Sequence, residues 1–225
     1  VRRFEMKIAV DGPAGAGKST ISKAVAKEMG CLYIDTGAMY RAVGLNAINN
    51  EVSLDDEASL TELMNKTDIK LKIEDDGQHI LLNGEDVTGL IRTPQVSMAA
   101  SKVSAAAGVR ESLVQLQRKI AGENDVIMDG RDIGTTVLPD AEVKIYLTAS
   151  VEDRAMRRYL EMKEKGESAV LEDVAKDIEQ RDYNDMHRKV SPLKVADGAY
   201  VLDTSGMTLE ESINAVKEYV GRFAE

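Results

Sequence analysis

Cysteine is nearly missing from this 225-residue chain: Cys31 stands alone, which rules out an internal disulfide and fits a reducing compartment. It falls inside the apolar run Cys31-Leu32-Tyr33-Ile34, where it reads as a small buried hydrophobe rather than a reactive thiol. Long apolar runs are missing as well. No stretch approaches the roughly 20 residues that cross a bilayer, and no secretory leader is visible, so a soluble cytoplasmic protein without membrane partners is expected. Positive charge is in short supply: the net charge of −10 argues against binding polymeric nucleic acid through a basic surface. The two histidines, His79 and His187, are isolated in the sequence. Neither a His/Cys metal cage nor a nucleophile–histidine–acid set can be assembled. That scarcity favours a reaction whose nucleophile is already an anion, such as a phosphate oxygen, which needs no general base.

What is present is an ordinary globular complement, 43% hydrophobic, long enough to bury a real core. Short apolar runs alternate with longer helical patterns, which predicts a parallel sheet with helices on both faces. The expected strands are Lys7–Val10, Cys31–Ile34, Asp125–Met128, Val143–Leu147 and Tyr200–Leu202. Helices are expected from Lys18, Gly37, Asp56, Val109, Val151, Leu171 and Leu209, with capping boxes at Ser150–Asp153 and Thr208–Glu211. Between Thr67 and Pro94 the alternation breaks. Ile69–Ile73 and His79–Leu82 read as a hairpin about Asp75-Asp76-Gly77, with a second turn at Asn83-Gly84. The segment Arg154–Arg188 carries dense charge of both signs around Gly166 and reads as two helices joined by a turn, a candidate lid. The organisation is then core over 1–62, insertion over 63–100, core over 101–153, lid and adjoining helix over 154–188, and core over 189–225.

The most informative stretch is Gly12-Pro13-Ala14-Gly15-Ala16-Gly17-Lys18-Ser19, which fits G-x-x-x-x-G-K-[ST] between a buried strand and a helix. Its glycines let successive backbone N–H groups close around a polyphosphate, and the helix start adds partial positive charge. Lys18 reaches the outer phosphates, and the Ser19 hydroxyl can take a place on Mg²⁺. Nucleoside triphosphate binding follows.

Other strand ends should face the same crevice, because ligands of open α/β sheets collect at the carboxyl ends of strands. Asp35-Thr36-Gly37-Ala38-Met39-Tyr40-Arg41 follows the second strand. Asp129-Gly130-Arg131-Asp132 follows the third, with Asp129 placed as a strand-end acid that steadies Mg²⁺, through water, and Arg131 as a bidentate phosphate grip. Arg181, Asp185 and Arg188 share a helical face at i, i+4, i+7. Five of the thirteen arginines fall between Arg154 and Arg188. Asn65-Lys66-Thr67-Asp68 matches the guanine-reading N-K-x-D of switch GTPases, but it follows a helix rather than a strand. The D-x-x-G at Asp86–Gly89 comes after it, in the wrong order, so the match is a coincidence.

Together, the phosphate loop, Asp35–Arg41, Gly84-Glu85-Asp86-Val87-Thr88 with Ile91-Arg92-Thr93, Asp129–Gly134, and Arg181-Asp182 with Asp185 and Arg188 resemble the bacterial cytidylate kinases, a family of nucleoside monophosphate kinases. The resemblance runs in family order from about Met6 to Phe223, with Thr36 where many relatives carry serine. It implies a three-layer P-loop kinase fold with a five-stranded parallel sheet, a β-containing monophosphate-binding insertion and a helical lid. The implied activity is transfer of the ATP γ-phosphoryl group to CMP or dCMP by a monomer. Gly12 to Ser19, Thr20, and the lid arginines Arg154, Arg157 and Arg158 would hold ATP, and Ser19 and Asp129 would hold Mg²⁺. Thr36, Tyr40, Arg41, Ser101, Arg110, Arg131, Asp132, Arg181, Asp185 and Arg188 would hold CMP. Lys18, Arg131 and Arg157 would carry the catalysis. Cytosine offers acceptors at O2 and N3 and a donor at N4, so Arg110 with Asp132 could read it and disfavour uracil. A kinase for another acceptor, such as UMP, AMP or a hydroxyl metabolite, and a nucleotide-dependent switch are the competing readings.

Overall fold

A computed structural model describes residues 6–74 and 77–223, so the turn expected at Asp75-Asp76 lies outside the described residues. The chain divides into two compact units, one running to Tyr33 and resuming at Asn124, the other spanning Ile34–Glu123.

The first unit is built on a five-stranded parallel sheet in the order β2-β6-β1-β7-β8, the three-layer α/β architecture that the alternation of elements predicts. Its strands are β1 (Lys7–Asp11), β2 (Leu32–Asp35), β6 (Val126–Gly130), β7 (Val143–Thr148) and β8 (Tyr200–Asp203), β2 ending in the second unit. The helices α1 (Lys18–Met29), α6 (Val151–Glu164), α7 (Leu171–His187) and α8 (Leu209–Gly221) complete it. Ile8, Val10, Ile127, Ile145 and Leu147 from the strands meet Ile21 and Val25 of α1 and Val216 and Val220 of α8 in one buried cluster. Half-buried Cys31 packs against that cluster, and burial raises its thiol above the ordinary range. α8 opens on a complete capping box, Thr208 with Glu211, whereas at Ser150 the serine hydroxyl accepts from the Asp153 N–H but the Ser150 N–H donates to Ser205 Oγ instead of to the Asp153 carboxylate.

The second unit holds α2 (Thr36–Asn49), α3 (Glu57–Asn65), α4 (Pro94–Val103), α5 (Ala107–Glu123) and a three-stranded antiparallel sheet of β3 (Ile69–Glu74), β4 (Gly77–Leu82) and β5 (Glu85–Asp86). Asn83 and Gly84 both take positive φ, 52° and 89°, the twist that a two-residue hairpin turn requires. α4 was not expected from the sequence. Thr93 caps it by accepting from the Val96 N–H at 3.2 Å, and Pro94 fills its first position, where a missing N–H costs nothing. α2 and α4 approach so closely at Gly44 that a methyl group there would lie 3.0 Å from the Ala100 nitrogen. Asn65 is the last residue of α3 and Lys66 pairs with Glu62 at 2.6 Å, so the N-K-x-D match is a helix end.

Candidate functional site

The phosphate loop leaves β1 at Gly12 and enters α1 at Lys18, with Gly15 and Gly17 in left-handed backbone at φ 75° and 81°. At Gly12 an added Cβ would sit 1.9 Å from the Leu147 carbonyl oxygen, so only glycine lets the loop pass β7. Lys18 is buried and donates to the Pro13 carbonyl at 2.7 Å. Burial, and then the neighbouring Arg131 guanidinium, push its ammonium down to about 7, while Asp129, Asp185 and Asp11 oppose that fall. A phosphate anion would reverse the shift by supplying the missing counter-charge. Ser19 Oγ donates to Asp129 Oδ2 at 2.7 Å, and the Tyr33 hydroxyl donates to Asp129 Oδ1 at 3.3 Å.

Beyond β6 the chain runs through Arg131 and Asp132 into a short π-helical turn, Ile133–Val137, closed by bonds from Val137 N to Asp132 O and Leu138 N to Ile133 O. Asp11, the last residue of β1, holds that turn: its two carboxylate oxygens accept from the Ile133 and Gly134 N–H groups, each at 2.8 Å. Burial raises the Asp11 carboxyl to about 6 even though both N–H bonds pull it down. Arg131 Nε donates to Asp185 at 2.7 Å. Burial alone would lower the Arg131 guanidinium, but Asp185 and Asp129 hold it above its usual range. Arg188 Nη2 lies 3.3 Å from Asp132, and its Nε donates to the Ser191 carbonyl at 2.6 Å. α7 ends at His187 and Arg188 is extended, so the face shared by Arg181 and Asp185 does not continue to Arg188 as expected. The chain must turn out of the helix there for Arg188 to reach Asp132 and Ser191. Arg181 is exposed on α7.

In the second unit Asp35 is the hub. It caps α2 by accepting from the Ala38 N–H at 2.9 Å, and its other oxygen takes both Arg41 at 2.9 Å and Arg92 at 3.4 Å. Its own N–H donates to Gln78 of β4 at 3.0 Å. Two guanidinium groups thus share one carboxylate oxygen, and Arg41 Nε is buried with no partner. Spare donors beside excess positive charge are suited to an anion. Thr36 and Tyr40 are buried in α2, Ser101 lies in α4, and buried Arg110 of α5 sits 5.7 Å from the Tyr40 ring with Nη1 donating to the Ser104 carbonyl at 3.2 Å.

Residues 8–222 match the family model described as cytidylate kinase. A cytidylate kinase of Lactobacillus gasseri is 52% identical over 217 residues, covering 96% of this chain and 94% of that one. A cytidylate kinase of Caldicellulosiruptor saccharolyticus is 53% identical over 214 residues, covering 95% of each. The chain belongs to the cytidylate kinase family. A crystal structure of an uncharacterized protein from Eubacterium ventriosum ATCC 27560 is similar in fold, with a TM-score of 0.54, 9% identity, and coverage of 96% of this chain and 99% of that one.

Within this family member the arginines of α6 differ in surroundings. Arg154 is buried and bonded to the Ala149 and Ala14 carbonyls and to Asp182. Arg157 donates to the Thr204 carbonyl at 2.8 Å and to its hydroxyl at 3.2 Å, next to the end of β8. Arg158 pairs with Glu161. Thr20 is exposed on the first turn of α1. Three residues at these sites receive no role from the sequence: Asp11, and Asp182 and Arg92, which stand within motifs that carry the resemblance. Asp11 ends β1 and Asp182 lies within α7, and only their long-range partners reveal what they do. Arg92 stands in the motif Ile91-Arg92-Thr93, which gave no sign of its partner. No helix among the described residues is long and apolar enough to cross a membrane, and no group of three His, Cys, Asp or Glu side chains is arranged to hold a metal ion.

Proposed function

We propose that this chain transfers the γ-phosphoryl group of ATP to CMP or dCMP, giving ADP and CDP or dCDP. The observation that carries this reading is the near full-length match to the cytidylate kinase family and to relatives bearing that name at about half identity. The geometry supports the chemistry. The loop Gly12–Ser19, with buried Lys18 donating to its Pro13 carbonyl, suits a triphosphate tail, and Thr20, Arg157 and Arg158 are assigned to the same nucleotide.

Ser19 and Asp129 fit Mg²⁺, because they are hard oxygen donors already adjacent, and that ion commonly takes one or two protein oxygens alongside phosphates and water. Once bound, it would neutralise charge on the transferring phosphate.

The acceptor is assigned to Arg131, Asp132, Arg181, Asp185 and Arg188 of the first unit and to Thr36, Tyr40, Arg41, Ser101 and Arg110 of the second. The acceptor oxygen is already an anion, so the task is neutralisation and alignment rather than proton removal. Asp185 fixes Arg131 and Asp132 fixes Arg188, and guanidinium groups oriented in this way need no reorganisation as charge develops. Lys18, Arg131 and Arg157 are the proposed catalytic cations. Arg110 and Asp132 are assigned to the base: a carboxylate accepts from the cytosine amino group and repels the uracil O4, a mismatch typically costing ~1–3 kcal/mol.

Initial rates of ADP release with ATP and each of CMP, dCMP, UMP and AMP test this assignment. Release that depends on CMP or dCMP is expected; equal rates on UMP and CMP would refute the cytosine assignment.

A further inference from the structure

Both backbone groups of Ala14, the third residue of the phosphate loop, are gripped by side chains from far along the chain. The Ala14 N–H donates to Asp182 Oδ1 at 3.3 Å, and Arg154 Nη1 donates both to the Ala14 carbonyl at 2.9 Å and to Asp182 Oδ2 at 2.6 Å. Arg154 Nε is anchored in turn by the Ala149 carbonyl at 2.9 Å. The result is a closed ring of hydrogen bonds from the loop amide, through a carboxylate and a guanidinium, back to the loop carbonyl. Arg154 and Asp182 are both buried, at 4% and 8% exposure. At Gly15 an added Cβ would stand 3.2 Å from the Arg154 Cβ, so the loop lies directly against this side chain.

A buried ion pair is a poor device for stability alone, because desolvating both charges consumes most of what the attraction returns. It is a good device for fixing a position, since every bond of the ring has one geometry. The loop needs fixing. Gly12, Gly15 and Gly17 all sit at positive φ, and glycine leaves the unliganded backbone more freedom than any other residue. Arg154 lies in the first turn of α6 and Asp182 in the last third of α7, so the ring also closes the two ends of the α6–α7 segment onto the loop.

We propose that Asp182, acting through Arg154 and Ala14, is a positioning residue that sets the phosphate loop for the nucleoside triphosphate and ties the loop to the α6–α7 segment. Arg154 on this account serves the nucleotide through the loop backbone and not by direct contact. The inference rests on the reading of Gly12–Ser19 as the triphosphate site and is independent of which acceptor is used.

The test is calorimetric binding of MgADP to the full chain, with KM values for ATP and CMP and thermal unfolding measured beside it. Asp182→Asn keeps the shape but can no longer accept from both Ala14 and Arg154 as a charge. It is expected to weaken MgADP binding and raise the KM for ATP between about 5- and 50-fold, while the KM for CMP stays within about twofold. Asp182→Glu, which keeps the charge, should recover part of the loss. Because a single truncation would strand a buried arginine, the paired change Arg154→Met with Asp182→Leu provides a second, foldable variant, and it should bind MgADP at least as weakly as Asp182→Asn. Unchanged MgADP affinity in these variants, with or without a lower melting temperature, would overturn the proposal. So would a KM for CMP that rises in step with that for ATP. If the unaltered protein binds MgADP but does not phosphorylate CMP, and Asp182→Asn still weakens MgADP, the positioning role stands and the acceptor assignment falls.

Discussion

Ser19 Oγ donates to Asp129 Oδ2 at 2.7 Å, joining the hydroxyl at the end of the phosphate loop to the carboxylate at the end of β6. Each is a hard oxygen donor, and the pair is the proposed site for Mg²⁺. Asp129→Asn should therefore raise the Mg²⁺ concentration for half-maximal activity by about tenfold, while the KM for CMP stays within about twofold. A magnesium titration at saturating nucleotide reads this directly. An unchanged magnesium requirement would remove Asp129 from the proposed metal site.

Lys18 is buried and carries a proton that its surroundings hold weakly in the absence of ligand. On the proposed role of Lys18 at the transferring phosphate, substituting alanine removes that charge and should lower kcat by about 10²–10³-fold. The fold should survive, because the hydrogen bond lost is the one to the Pro13 carbonyl, while Asp11, Asp129 and Asp185, which lose a neighbouring charge, keep donors of their own. Circular dichroism alongside steady-state rates separates loss of chemistry from loss of structure.

Arg92 shares the Asp35 carboxylate oxygen with Arg41, yet its side chain is 56% exposed. If the pair receives the acceptor phosphate, Arg92→Ala should raise the KM for CMP about 3- to 10-fold and leave the KM for ATP unchanged. Arg41→Ala should do more, since its guanidinium is the closer of the two to Asp35 and the better buried. A KM for CMP unaffected by Arg92→Ala would reduce the Arg92 contact to a local ion pair.

Asp11 gives a pH dependence with a definite sign. Its folded carboxyl sits at about 6 against an ordinary 3.8, so between those values the folded chain holds a proton that the unfolded chain has released. Its contribution is fully present below 3.8 and is lost as pH rises through 6, a change on the order of 3 kcal/mol. Asp11→Asn does not titrate, so its stability relative to the unaltered protein should increase from pH 4 to pH 7. Urea unfolding at both values checks this; a stability difference that does not move with pH would contradict it.

Much of the core was legible because strand, loop and helix each leave a chemical mark. The glycines of the phosphate loop and the hydroxyl after Lys18 have fixed positions relative to the apolar run before them. Strand ends were less legible: Asp11, Asp35, Thr148 and Asp203 each continue a strand past its last apolar residue. Apolar patterning stops where a strand reaches the polar edge of the sheet, although the hydrogen-bond ladder continues. Gly44 gave no sign of the α2–α4 approach, because its reason is a neighbour more than fifty residues away. Asp182 stands in the Arg181-Asp182 motif, but its role stayed hidden for the same cause, its loop partner Ala14 lying 168 residues distant. Arg188 was misread because periodicity continues on paper after the helix has ended.

The most direct test follows the phosphorus itself. With ATP labelled at the γ-phosphate, Mg²⁺ and CMP, the label should appear on the β-phosphate of CDP in step with ADP, and little should appear on UDP when UMP replaces CMP. Label released mainly as inorganic phosphate, or carried equally to UMP, would contradict a kinase that reads cytosine at its acceptor site.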